Sequence, residues 1–299
     1  EQDVLLAVID AYLSVRRDED IVRLRQEYVG ALQQQLAGTR RRLEVGEVSR
    51  TDVAQVDTRL AGARALLARA EAELQSSRAR YQLTVGKPPE ALAPVETPPG
   101  PETLDDAIRF AEERHPNILR SISQRRAARA QVEIERSALR PQVALVGRYD
   151  YNQESSVEGD RSEGASALAQ LSVPLFEGGY SSSRVRQGQI NVERSEARLE
   201  GQRRQIVADV VTAWNNLASG RHIVAAAQDQ VAAAAQAVEG AERERGLGLR
   251  STLDVLDAEQ ERRNAEIGLV NAQADETFAG FVLLAATGVL TVTVLGEKD

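Results

Sequence analysis

The chain contains no cysteine and no methionine, two histidines, one tryptophan, six tyrosines and four phenylalanines in 299 residues. Without cysteine there can be no disulfide framework, thiol nucleophile or cysteine-based zinc site, although the compartment stays open because an oxidising environment does not require disulfides. His115 and His222 have no metal-site spacing and read as surface helix residues. Aromatic side chains dominate core burial in globular domains; at 4% of residues they cannot build a large compact core here. No run of about 18 apolar residues is present, so no transmembrane helix is expected. Positive charge is not in excess either. The net charge is −8 and the charged residues are interspersed, which disfavours general nucleic-acid binding and reads as solvated helix faces. A chain opening on Glu1 is expected to have a mature or cut N-terminus, so targeting is not read from it.

What the chain has in abundance is Ala, Gln, Glu and Arg, a composition of good helix formers that points to elongated helices or coiled coils. Apolar residues recur every seven positions at Val8, Val15, Val22, Val29 and Leu36, and again at Val53, Leu60, Leu67, Leu74 and Tyr81. A strict period of seven drifts around a straight helix, and keeping the stripe against a neighbour imposes a left-handed supercoil. Between the stripes, Val45-Gly46-Glu47-Val48-Ser49 supplies a helix-ending glycine and an N-cap serine, with Asp52 placed to complement the new helix's positive end. This predicts an antiparallel helical hairpin.

An offset of 202 residues carries the first stripe onto Val210, Leu217, Val224, Val231 and Val238. The same offset takes Gly38 to Gly240, Gly46 to Gly248, Ser49 to Ser251, Asp52 to Asp254, Val53 to Val255, Gly86 to Gly288 and Tyr12 to Trp214. Two unrelated coiled coils would share the period but not the turn residues, so a duplicated helical hairpin is expected. The second stripe weakens in the copy, where Arg262 and Glu276 replace Leu60 and Leu74.

Most of the nine prolines fall between residues 87 and 101, an irregular connector. A helix is expected from about Thr103 to Leu139, broken where His115 precedes Pro116 and ended by Pro141. Periodicity then switches to two. Gln142 to Asn152 and Ala165 to Leu175 each alternate an apolar face with a mixed one over a length that crosses a bilayer as a tilted strand. The polar stretch Gln153 to Gly164 is expected to be an exposed loop. By periodicity alone the pair is either a soluble β-hairpin or two strands of a membrane barrel. Two strands cannot close a barrel, so closure would need strands from elsewhere.

At Val173-Pro174-Leu175-Phe176-Glu177-Gly178-Gly179, where a strand gives way to a very long helix, the chain resembles the TolC-type outer-membrane efflux and secretion channel family. The resemblance extends to Gly248-Leu249-Arg250-Ser251-Thr252-Leu253-Asp254-Val255-Leu256-Asp257 and to Val45-Gly46 with Thr51-Asp52-Val53. It implies a mainly α fold of long antiparallel coiled-coil hairpins forming an α-helical barrel, with strands of a twelve-stranded β-barrel shared by three subunits. The expected segments are a first-repeat hairpin over 1–86, the connector at 87–101, a leading helix at 102–140, a membrane β-hairpin at 141–178, a second-repeat hairpin at 179–288 and a C-terminal segment at 289–299. By the 202 offset the first-repeat counterpart of the long helix should begin about 24 residues before Glu1, and about 100 residues of the first half, its strands included, are expected to be missing. At about 1.5 Å per residue, Gly179 to Arg245 would run roughly 100 Å and residues 1–45 about 67 Å, lengths suited to a tunnel. Small and polar residues between the stripe positions, as in Ala225-Ala226-Ala227-Gln228, suit a wall wetted on both faces.

No catalytic triad, phosphate loop or metal-spaced pair is present, and a non-enzymatic protein without cofactor is expected. Asp254 and Asp257 share a helix face just after Gly248. The resemblance places the matching aspartates at a narrow periplasmic entrance, where six carboxylates of a trimer would attract cations; as an alternative, both simply complement a helix N-terminus. Arg250 matches the family position that ties neighbouring entrance coils together, and Asp52 its carboxylate partner, against the alternative of a surface ion pair of about 0–1 kcal/mol. Arg245 stands where another family member uses a tyrosine link. The tips Val45-Gly46 and Leu247-Gly248 are either ordinary turns or grooves for an adaptor's helical hairpin. The resemblance further implies a homotrimer in the outer membrane of a Gram-negative bacterium, in contact with outer-membrane lipid. Its partners would be a periplasmic adaptor (membrane fusion) protein and an inner-membrane pump of the ABC or RND type, for efflux or type I secretion. A soluble coiled-coil scaffold is the competing expectation.

Overall fold

The computed structural model describes residues 1–95, 99–153 and 161–292. Among these residues six helices and two strands follow one another as α1 (Gln2–Glu44), α2 (Arg50–Val85), α3 (Leu104–Arg114), α4 (Pro116–Ser137), β1 (Gln142–Gln153), β2 (Arg161–Ser172), α5 (Tyr180–Gly246) and α6 (Thr252–Ala286). They fall into two compact units, one formed by Glu1–His115 with Ile206–Asp299 and the other by Pro116–Gln205. No described helix is long and apolar enough to cross a membrane.

In the first unit α1 and α2 form the expected hairpin. Val15, Val22, Val29 and Leu36 of the first stripe and Leu60, Leu74 and Tyr81 of the second are buried. The core is a string of small clusters rather than one mass. Near the turn, Tyr28, Val29, Leu32 and Leu36 pack with Val56, Leu60 and Ala63, and Leu256 of α6 joins them. Farther along, Val15 and Val22 meet Leu74 and Tyr81. At the other end of α1, Ile9 and Leu13 pack against Phe281, Leu284, Ala285 and Leu290. So α1 lies between its hairpin partner and α6, a pairing that the period of seven does not specify. A buried polar contact fixes the α1–α2 register: Asp18 is 3% exposed and accepts from the Ser77 hydroxyl, with Arg17 beside it. Breaking such a contact strands a buried charge, which is why it specifies one alignment.

The connector contributes through Val95, packed on the Phe281 cluster, and Ala93, whose carbonyl accepts from the Tyr12 hydroxyl at 2.8 Å. Thr103 caps α3, and Pro116 sets its end, because the residue before proline is pushed out of helical conformation: His115 has φ −63°, ψ 124°. The break falls where the sequence predicts it.

In the second unit β1 and β2 pair antiparallel, with Val143 opposite Leu171, Leu145 opposite Ala169, Gly147 opposite Ala167 and Tyr149 opposite Ala165. The apolar phases of the two strands therefore share one face. None of the described residues covers that face: Val143 is 76% and Leu145 81% exposed. The strand limits differ from expectation. Gln153 and Arg161 to Gly164 belong to the ladder rather than to a loop, while Val173, Pro174 and Leu175 lie outside it. Polar side chains do not prevent pairing, whereas Pro174 has no N–H to donate. The rest of the expected loop, 154–160, and most of the expected C-terminal segment, 293–299, lie outside the described residues. The chain leaves β2 through Gly178 (φ 60°) and Gly179 (φ 85°), two successive left-handed residues that account for the Gly-Gly of the motif. Within this unit α4 and α5 are joined by Arg184, which donates to both oxygens of Glu135 at 2.7 and 3.0 Å and holds that carboxyl at about 2.

Candidate functional site: the two helix-turn tips

The candidate residues fall on two turns, α1–α2 and α5–α6, built alike from the repeated residues. In the first, the Glu47 amide donates back to the Arg42 carbonyl at 2.9 Å and Gly46 takes φ 78°; in the second, the Leu249 amide donates to Glu244 at 2.9 Å and Gly248 takes φ 77°. Both are the helix-ending motif that a left-handed glycine permits. Nothing lies within 4 Å of a Cβ placed on either glycine, so the backbone angle alone accounts for them within the chain. Beside them Val45, Leu247 and Leu249 are 71%, 76% and 74% exposed.

Each turn then opens a helix with a reciprocal cap. The Ser49 amide and hydroxyl both donate to Asp52 at 2.8 Å, and the Asp52 amide donates to the Ser49 hydroxyl at 3.2 Å. Ser251 and Asp254 repeat the arrangement at 2.9, 2.8 and 3.2 Å. These bonds favour the ionised carboxylate. The Ser49 amide and hydroxyl hold Asp52 below the ordinary carboxylate range, and the Ser251 hydroxyl and amide do the same for Asp254. The capping expectation thus accounts for Asp254 locally, while leaving its carboxylate charged and exposed.

Asp257, one turn on, is not a cap. It pairs with Arg59 of α2, whose other guanidinium nitrogen donates to Gln260 at 2.5 Å. Arg250 pairs with Glu244 on the last turn of α5. The structure therefore does not bring Arg250 and Asp52 together within one chain; each is engaged by its own turn.

Sequence reasoning passed over Arg59, Gln260, Glu244 and Glu259. Arg59 flanks the buried stripe residue Leu60, the kind of position from which coiled-coil charges reach a neighbouring helix, but its partner becomes evident only once α6 is seen against the first hairpin. Glu259 is half-buried, and desolvation, with Glu242 adding like charge, raises its pKa against the pull of Arg262, Arg263 and Arg245. Tyr28, in the cluster beneath, is pushed up by burial first and by Glu259 second. Among the described residues no group of three or more metal-binding side chains converges.

The chain's relatives bear on this geometry. A sequence profile described as outer membrane efflux protein matches residues 107–289. Outer membrane efflux protein BepC of Brucella suis is 33% identical over 300 residues, covering 99% of this chain and 65% of the relative. Outer membrane protein TolC of Vibrio cholerae is 27% identical, covering 97% of this chain and 69% of the relative. Among solved structures, one of CusC, concerned with transmembrane channel formation, superposes with a TM-score of 0.80 at 20% identity, covering 95% of this chain and 68% of that one. The chain thus spans about two thirds of the length of the relatives it matches.

Proposed function

The chain belongs to the outer membrane efflux protein family, and from that premise we propose that it is part of a subunit of a trimeric outer-membrane channel, the passive exit duct of a tripartite efflux or type I secretion system. The observation that carries the reading is the β-hairpin, whose register gathers Val143, Leu145, Leu171 and Ala169 on one face that none of the described residues covers. An uncovered apolar sheet face needs a partner, and strand edges need pairing; lipid outside a twelve-stranded barrel closed by three subunits supplies the first and neighbouring strands the second. A soluble scaffold would leave that face in water. The long hairpins, with small separate core clusters and charged flanks, suit a helical barrel around an aqueous duct. No enzymatic step is assigned, in keeping with the channel and efflux names of the relatives.

On this reading the two tips face the periplasm. Asp254 and Asp257 form a cation-selective constriction, and Arg250 exchanges Glu244 for Asp52 of a neighbouring coil when it latches the entrance. Val45, Gly46, Leu247 and Gly248 receive the hairpin of a periplasmic adaptor, and a crosslink from these positions to that adaptor is the direct measure. The adaptor would join the channel to an inner-membrane pump of the ABC or RND type.

The membrane placement is tested by spin labels on the full-length protein in outer-membrane vesicles. Leu145→Cys should be accessible to oxygen and shielded from a water-soluble nickel reagent, while Arg148→Cys, on the other face of β1, should show the reverse. Equal nickel access at both positions would sink the barrel reading.

A further inference from the structure

Two carboxylates stand on the same face of α6, but their surroundings differ in charge. The hydrogen-bond partners of Asp254 are the hydroxyl and amide of Ser251, which stabilise the carboxylate without cancelling its charge, and the guanidinium that also acts on it, that of Arg250, is already paired with Glu244. Asp257 is held by the guanidinium of Arg59, which does cancel it. The Arg59 fork is also well placed to stay there. Its two acceptors, Asp257 and Gln260, are one turn apart on one helix face. Val56 and Leu60, on either side of Arg59 along α2, are 0% and 3% exposed in the cluster that also holds Leu256 of α6 at 1%. Both backbones are therefore pinned by packing where the ion pair forms.

The repeat separates this pair from the shared architecture. Ser49 and Asp52 recur as Ser251 and Asp254, because each helix needs a cap. At the offset of 202, however, Asp257 corresponds to Gln55 and Arg59 to Glu261. The ion pair is not something each hairpin requires for itself. It exists only where the two hairpins meet.

We infer that Arg59 is a selectivity-determining residue of the channel: it neutralises Asp257, so that Asp254 is the one uncompensated carboxylate that each subunit places at the constriction. This rests on the constriction reading given above. With Arg59 in place the two aspartates and the arginine carry one net negative charge per subunit; without it they carry two. Like charges converging on a narrow aqueous path multiply the local cation concentration, so the compensation sets how strongly cations are preferred and keeps the duct permissive to anionic cargo.

The test is the potassium-to-chloride permeability ratio, read from reversal potentials in a salt gradient, of the full-length protein in planar bilayers. Arg59→Gln, which retains a polar side chain, should raise the ratio by about twofold or more, and Asp257→Asn should lower it. The double variant Arg59→Gln/Asp257→Asn should return to the wild-type value, since a neutral amide pair replaces a neutral ion pair. An unchanged ratio in Arg59→Gln, alongside a fall in Asp254→Asn, overturns the role of Arg59 alone. A double variant as low as Asp257→Asn also overturns it, and reports by itself if the Arg59→Gln chain does not assemble. If Asp254→Asn leaves the ratio unchanged, the constriction reading itself fails and the role of Arg59 with it.

Discussion

Gly86 and Gly288 occupy the same position in the two repeats and the same left-handed region, with φ of 86° and 77°, yet alanine should be tolerated at the first and not at the second. A left-handed alanine costs about 1–2 kcal/mol, partly offset by the lower entropy of its unfolded chain, about 0.4–1 kcal/mol. At Gly86 that is the whole cost, because nothing lies within 4 Å of the added Cβ. At Gly288 the Cβ would sit 2.8 Å from the His115 Cα, 3.1 Å from its nitrogen and 3.2 Å from the Arg114 carbonyl carbon. Carbon atoms in good contact are about 3.5–4.0 Å apart, so three backbone atoms are overlapped at once. They cannot swing aside as a side chain could. The His115 amide is bonded to Ala111 at 3.0 Å and Pro116 follows immediately. Overpacking of this kind adds about 1–3 kcal/mol, bringing Gly288→Ala to roughly 2–4 kcal/mol against about 1 for Gly86→Ala. The assay is native-state hydrogen exchange at the amides that close α6: Val289 to the Leu284 carbonyl at 3.0 Å and Leu290 to the same oxygen at 3.1 Å. Since each 1.4 kcal/mol is tenfold, exchange there should accelerate by about 30-fold or more in Gly288→Ala, and by less than about tenfold in Gly86→Ala at the amide of residue 86, which is bonded to the Gln82 carbonyl at 2.9 Å. Equal acceleration at the two sites would refute the close approach and leave only the shared backbone angle.

Two further outcomes follow from the charges around the tips. Glu259 has a folded-state pKa raised above its unfolded value by burial first and Glu242 second; the folded chain therefore keeps that proton longer, and stability present below the unfolded pKa is lost as pH rises through the folded one. Glu259→Gln should raise the melting temperature by roughly 1–3 °C at neutral pH and flatten the decline on the alkaline side of the unfolded pKa; a variant less stable at pH 7 than at pH 4, relative to wild type, would contradict this. Arg250→Ala removes an exposed pair with Glu244 worth about 0–1 kcal/mol, so thermal stability should hardly move. If the latch operates, single-channel conductance should rise in this variant and in Asp52→Asn, which keeps an acceptor for the Ser49 amide; unchanged conductance in both removes the latch.

How far the fold could be read in the sequence depended on whether each element was specified locally. Glycine at a left-handed turn, serine and aspartate at a cap and proline at a break act on their own neighbours. The α1–α2 turn, the α5–α6 turn and the His115–Pro116 break therefore stand where they were expected. The strand limits were harder. Alternating hydrophobicity marks residues with a buried or lipid face, but backbone pairing continues beyond them: Ser162, Glu163 and Gly164 pair with Asn152, Tyr151 and Asp150 without any apolar signal. At the other end Val173 and Leu175 keep the alternation after Pro174 has ended the ladder. The packing of α1 against α6 had no local signature, because a period of seven states that a helix has neighbours and not which ones.

The same distinction decides what the repeat says about the site. A residue that recurs under the 202 offset is explained by what every copy must do. Asp52 and Asp254 recur, and their bonds to Ser49 and Ser251 match within 0.1 Å; as a sequence feature, then, Asp254 is evidence for a cap before it is evidence for a channel, and its exposure and ionisation are what make it available for a second use. Residues that break the offset carry the opposite weight. Asp257 facing Arg59, and Arg250 facing Glu244, correspond to Gln55, Glu261, Val48 and Arg42, so neither pair can be formed by the other copy. Both join charges near the turn of the second hairpin, one to the first hairpin and one within its own tip. A duplicated hairpin that needed only to stack would have no use for either. Of the two, only Arg59–Asp257 joins one hairpin to the other, and it does so where Val56, Leu60 and Leu256 already fix both backbones, so the repeat marks it as a contact of the paired hairpins rather than of either alone.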